Sequence, residues 1–250
     1  MNRFRPGAAR LSKGWGQASG SEATSRLVLQ QIERKRRAYL LYYRSQPLPK
    51  QLLVDLTVSS FRMDHLRISE REVGEAFGCG AEGRAFRIRP ILRIRNHAAI
   101  LIHMDRMVRR GQELRAETAV RWYTSISCGL STAQVEASQL ERLEACLRRM
   151  NVPRLRLRAA VAEIAGVHVE LLRDPVFPGF NGIVARLLLQ YHLGRCGLPP
   201  VVFDAERDRG GMAEQETLVP RLMRLIAESC RGLVGKVNPK EEGERRYGGT

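Results

Sequence analysis

From Leu27 to Gly232 the apolar residues recur at intervals of three and four. Nowhere do they alternate with polar residues over a run long enough for a strand, so the chain is confined to an all-α fold. The repeating pattern predicts helices over 27–43, 50–63, 69–77, 95–110, 116–128, 137–150, 155–172, 182–195 and 216–232. Punctuation supports these bounds. Pro47 and Pro49 stop the first helix, and Gly197 with Pro199-Pro200 stops the eighth. Ser69-Glu70-Arg71-Glu72 is a capping box, in which Ser69 and Glu72 each satisfy a helix-start N–H.

Charge and cysteine usage restrict the setting. The formal net charge is +16, from 37 Arg and 5 Lys against 26 acidic residues, and the first fifty residues carry 11 basic and 2 acidic side chains, or +9. Such a basic arm attracts nucleic acid, anionic lipid or an acidic protein, but with no interleaved aromatics it specifies none of them, and the arginine skew fits codon usage as well as binding. Five cysteines are scattered without a CxxC pair, which argues for a reducing, cytoplasmic setting and against a zinc site or disulfide framework. The longest apolar runs, 98–102 and 184–189, fall far short of the ~20 residues that span a bilayer, so a soluble protein without a membrane partner is expected. The amino-terminal residues lack the apolar core of a secretory signal, while a transit peptide stays open.

Residues 174–203, DPVFPGFNGIVARLLLQYHLGRCGLPPVVF, place a Pro- and Gly-rich loop directly before an apolar helix. Free N–H groups around Asn181 and Gly182 at that helix start favour an anion, and Arg186 lies one turn further on the same face. The alternative is that Gly and Asn merely make the turn and Arg186 is a solvated or paired charge. In the preceding helix, positions 157, 161, 164, 168 and 171 form one buried stripe, within which His168 reads as a hydrogen-bonded core histidine.

Residues 175–186, P-V-F-P-G-F-N-G-I-V-A-R, followed by Leu187-Leu188 and by Gly197-Leu198-Pro199-Pro200, resemble the Fic motif of the Fic/Doc (Fido) family. That motif is HPFxxGNGRxxR, then an apolar helix and a G-x-P-P turn, and Phe177, Asn181, Gly182 and Arg186 match it. Asn96 and Ala98-Ala99 resemble an earlier helix of the family. Ser60-Phe61-Arg62-Met63-Asp64 is similar to the S/T-x-x-x-E frame of its self-inhibited members, with Asp for Glu, and the i, i+4 spacing puts Ser60 and Asp64 on one face. In the family the carboxylate of that frame pairs with the second motif arginine, which implies that Asp64 faces Arg186.

The departures fall on the chemistry. Where the family has its histidine base this chain has Pro175 or, with a shift of one, Asp174. The magnesium carboxylate is replaced by Gly179, a glycine by Phe180 and the first phosphate-binding arginine by Ile183. Nucleotidyl transfer relies on positioning and charge neutralisation, so these losses would cripple it. The resemblance therefore implies an all-α, Fic-like helical core with an N-terminal helical extension and a β-hairpin flap that is shortened or absent between 127 and 139. The divisions are a disordered basic arm over 1–24, the extension with its inhibitory-helix-like segment over 25–80, the core over 81–232 and a disordered tail over 233–250.

The function so implied is that of a pseudoenzyme, a binding or regulatory module for a protein partner. It would keep a nucleotide or phosphate site at Asn181, Gly182 and Arg186 and a regulatory pair at Ser60 and Asp64. No catalytic residue or metal ligand is assigned, Mg²⁺ would not be held by the motif, and ATP is the candidate nucleotide. Two rivals stay open. One is an active protein adenylyltransferase (AMPylation) or related phosphate-group transferase with a rebuilt site, its base Asp174 or His168. The other is nucleic-acid binding through the Arg-rich arm.

Overall fold

The computed structural model describes residues 19–76, 88–127, 135–151, 156–208 and 214–235. Among these there are ten helices and no strand: α1 (Ser19–Ser45), α2 (Lys50–Met63), α3 (Glu70–Ala76), α4 (Ile88–Arg109), α5 (Ala116–Ser127), α6 (Ala137–Met150), α7 (Leu157–Arg173), α8 (Asn181–Arg195), α9 (Ala205–Asp208) and α10 (Gln215–Gly235). The fold is all-α, as the periodicity requires.

Helices α2 and α6 have the expected bounds. Elsewhere the differences have local causes. Helix α1 takes in residues 19–24, so the last six residues assigned to the disordered arm are helical; past Gly20 no glycine or proline interrupts them. Helix α4 starts seven residues before the expected Arg95, because Pro90 is its third residue, where the N–H would have no intrahelical partner in any case. The single turn α9 was not expected. It has no apolar period and starts from Asp204, whose Oδ1 accepts the N–H groups of Glu206 (2.9 Å) and Arg207 (3.3 Å). Helix α10 runs three residues into the assigned tail. Arm residues 1–18, the boundary between 80 and 81, flap residues 128–134 and the tail from 236 lie outside the described residues.

Helix α8 is the centre of the molecule. Every residue from Ile183 to Leu193 is buried, including Arg186, Gln190 and His192, so it presents no solvent face. A helix apolar on all sides must be enclosed by others, and α2, α4, α5 and α7 all pack on it. One cluster unites Phe61, Leu101, Trp122, Leu143, Leu171, Phe177 and Leu187 from six elements and the motif loop. A second, with Ile32, Ile164, Leu193, Phe203 and Ile226, joins α1 and α10 to the other side of α7 and α8. No described helix is long and apolar enough to cross a membrane.

Helix α8 ends in a Schellman turn: Leu198 N–H bonds Leu193 O (2.9 Å) and Gly197 N–H bonds Gly194 O (2.8 Å), with Gly197 at φ +69°. Pro199-Pro200 then carry the chain to Phe203, and Gln190 in α8 fixes this segment by giving a hydrogen bond to Val201 O (2.6 Å) and accepting one from Val201 N–H (2.9 Å). Phe203 in turn meets α2, since Ser59 Oγ donates to Phe203 O (2.7 Å) and accepts from Phe203 N–H (3.1 Å).

Candidate functional site

The loop before α8 is braced from four helices, α4, α5, α6 and α7. Phe177 is buried against the Tyr123 ring (5.4 Å between centroids), and Tyr123 Oη donates to Pro178 O (3.3 Å). Asn181 spans the loop from inside: its Oδ1 accepts from Val176 N–H (3.0 Å) and Phe177 N–H (3.2 Å), and its Nδ2 donates to Leu171 O (2.6 Å). The Asn181 side chain therefore fixes the loop, and any anion held here would meet backbone N–H groups rather than that amide. Arg93 lies over the Phe180 ring, 4.9 Å from its centroid.

The two residues that compete for the motif-histidine position are both occupied. Asp174 ends α7 with a largely exposed carboxylate (63%), and Arg142 of α6 forms an ion pair with it while donating to the carbonyls of Asp174 (3.0 Å) and Pro175 (3.4 Å). Gln139 donates to Pro175 O as well (3.4 Å). Nothing near Arg142 in the chain marks it, because its partner is 32 residues away.

Arg186 is brought against α2. Its Nε donates to Ser60 Oγ (3.1 Å), and its Nη2 donates to Ser60 O (2.6 Å) and to Asp64 Oδ1 (2.5 Å). The guanidinium is 6% exposed and the carboxylate 22%, so this is a largely desolvated pair. Burial lowers the pKa of Arg186 while Asp64 opposes that shift. Asp64 also lies over the start of α8: a Cβ placed on Gly182 would come 2.5 Å from Asp64 Oδ1 and 3.1 Å from Arg186 Nη1. A carboxylate thus stands at the start of α8, where the helix dipole and Arg186 both favour negative charge. The cavity beside them, bordered by Ser60, His97, Arg186 and Phe203, measures about 10 Å³, which is about one water molecule.

Two histidines close this site from within. His168 is buried, donates Nδ1–H to Ala185 O (3.2 Å) and leaves Nε2 without a partner. His97, which the sequence did not single out as a site residue, shares a hydrogen bond with Thr57 Oγ1 (3.1 Å); that hydroxyl donates to Leu53 O, so His97 Nδ1 carries the proton and Nε2 is again orphaned. Burial, with the Arg186 charge added, holds both pKa values down at about 3, so both rings are neutral. Among the described residues no three His, Cys, Asp or Glu side chains form a group that could hold a metal ion.

No family model and no curated protein matches the sequence. Solved structures do match. A Fic-domain-containing signaling protein from Bacteroides thetaiotaomicron is similar with a TM-score of 0.65 and 14% identity, over 83% of this chain and 96% of that one. A fragment of Fic-1 from C. elegans is similar with a TM-score of 0.66 and 17% identity, over 88% of this chain and 74% of that one. A variant of the same fragment gives 0.66 and 14%, over 90% and 74%. At such identities the likeness is one of fold, and the chain has the fold of Fic-domain proteins.

Proposed function

We propose that this protein is a degenerate Fic-fold module, a cytoplasmic binding or regulatory protein that does not transfer nucleotidyl groups. On this reading it keeps at the start of α8 a phosphate or nucleotide site that Asp64 occupies in self-inhibition. The observation that carries the proposal is the want of a free proton acceptor at the loop. Pro175 has none, Asp174 is paired with Arg142, and His168 is buried behind Ala185. The residues do not fit Mg²⁺, since Gly179 brings no carboxylate. They fit a phosphate at Gly182 and Arg186 only once Asp64 has left, because the remaining cavity is water-sized. A protein partner that draws α2 away would open the site.

Incubation of the full chain with labelled ATP and Mg²⁺ is expected to label neither itself nor added protein, in wild type or in Asp64→Ala. Mg²⁺-dependent labelling lost in Asp174→Ala would replace this reading by the transferase. Asp64→Ala should lower stability by about 1–3 kcal/mol, since Arg186 keeps Ser60 but loses its counter-ion in a mostly dry site. Added phosphate or ATP should restore part of that loss by binding in its place. A melting curve of Asp64→Ala that phosphate and ATP leave unmoved would remove the site. The Arg-rich arm is tested separately, by nucleic-acid binding across a salt series with and without residues 1–18.

A further inference from the structure

Phe203, which borders the Arg186 cavity, also lines a second and larger pocket of about 270 Å³. Its other walls come from α9 and α10, and three guanidiniums surround it: Arg207, Arg221 and Arg224. They are held differently. Arg221 is forked onto Asp208, Nε to Oδ1 (2.5 Å) and Nη2 to Oδ2 (3.2 Å), and the Asp208 side chain is only 3% exposed, so this guanidinium is fixed in place. Asp208 also accepts the Asp204 N–H (2.7 Å). Arg207 is exposed, with Asp204 on the rim 3.7 Å away. Arg224 is exposed, and its guanidinium makes no hydrogen bond or ion pair with any of the described residues.

With Asp204 on the rim, three positive charges face two negative, so one is in excess, and it falls on Arg224, beside the apolar Phe203 and Leu218, which are buried. Gathering like charges around one opening is unfavourable unless an anion offsets it. Planar guanidiniums match phosphate oxygens two at a time, and a phosphate monoester brings close to two negative charges near neutral pH. A volume of about 270 Å³ lies at the lower edge of ligand pockets, which suits one ring or sugar rather than a dinucleotide.

We propose that this pocket binds a small phosphate monoester, its phosphate between Arg207, Arg221 and Arg224 and its organic part against Phe203 and Leu218. The site is independent of the Arg186 site and of the reading given to that site. Calorimetric titration of the full chain with phenyl phosphate at low salt tests it, with inorganic phosphate and benzoate as comparisons. Phenyl phosphate should bind more tightly than either, and Arg224→Gln and Arg207→Gln should each weaken it about tenfold, as expected for loss of a charged hydrogen bond. Both side chains are exposed, so the fold is expected to survive both changes, and unchanged melting curves check it. Absence of binding, binding that both variants retain in full, or equal affinity for benzoate would overturn the proposal.

Discussion

Asp64 is one methylene shorter than the glutamate that its frame resembles, and it nevertheless reaches Arg186 directly at 2.5 Å. Gly182 makes this approach feasible, since any Cβ there would collide with the carboxylate. The residue after Asp64 is under strain. His65 has φ +59° and holds the left-handed position of a Schellman turn, with Leu66 N–H on Phe61 O (3.0 Å) and His65 N–H on Arg62 O (3.1 Å). Its side chain is exposed, so glycine would relieve the backbone without loss of packing. His65→Gly should stabilise the protein by about 0.5–1 kcal/mol. Chemical denaturation of the two proteins checks this, and a destabilised variant would show that the His65 ring makes a contact of its own.

At the scale of the element, the local signals set the helix ends and the tertiary neighbours set the rest. The capping box at Ser69 forms as its spacing requires: Ser69 N–H donates to Glu72 Oε2 (2.8 Å) and Glu72 N–H to Ser69 Oγ (3.2 Å), and the Ser69 hydroxyl, which donates to the same carboxylate oxygen (2.7 Å), lowers the Glu72 pKa together with the Ser69 N–H. At the other end of α8, Gly197 is needed for two reasons. Its φ of +69° suits a residue without Cβ, and a Cβ there would lie 3.0 Å from Leu40 Cδ2 and 3.3 Å from Arg36 Nε of α1. Gly197→Ala should therefore cost about 1–2 kcal/mol and lower the thermal midpoint by several degrees. A midpoint within one degree of wild type would mean that α1 moves aside freely.

At the scale of the whole molecule, the centre holds three neutral histidines, His97, His168 and His192, and both ring nitrogens of His192 lack partners. Burial holds each pKa near 3, with Arg186 pressing in the same direction on the first two and Arg195 on the third. Unfolded histidine titrates near ~6.5. Between these values the unfolded chain binds more protons than the folded one, so stability is full above about pH 6.5 and falls as the pH drops toward 3. Each such ring contributes a slope of up to about 1.4 kcal/mol per pH unit. His192→Leu removes one ring and two orphaned nitrogens, so it should reduce the acid sensitivity by about one proton and not weaken the protein at pH 7. Thermal melts from pH 7 to pH 4 measure this, and an unchanged slope would show that His192 is already charged when folded.

The sequence by itself determined that the chain is helical, where most helices begin and end, and that a Pro- and Gly-rich loop after residue 174 feeds directly into an apolar helix. Those facts rest on spacing, caps and breakers, which act within a few residues. The family likeness of the Ser60-to-Asp64 frame also pointed to Asp64 as the partner of Arg186, while the bonds of Arg186 to Ser60 came with the structure. Other features had no local signal. That Arg142 engages Asp174, that His168 faces Ala185 and not the loop, that Asn181 spends its amide on Leu171, and that Arg207, Arg221 and Arg224 surround one pocket were decided only by tertiary packing. The physical reason is range. A hydrogen bond or ion pair between groups tens of residues apart depends on where whole helices dock, and docking is set by the summed burial of many apolar side chains rather than by the residues that meet.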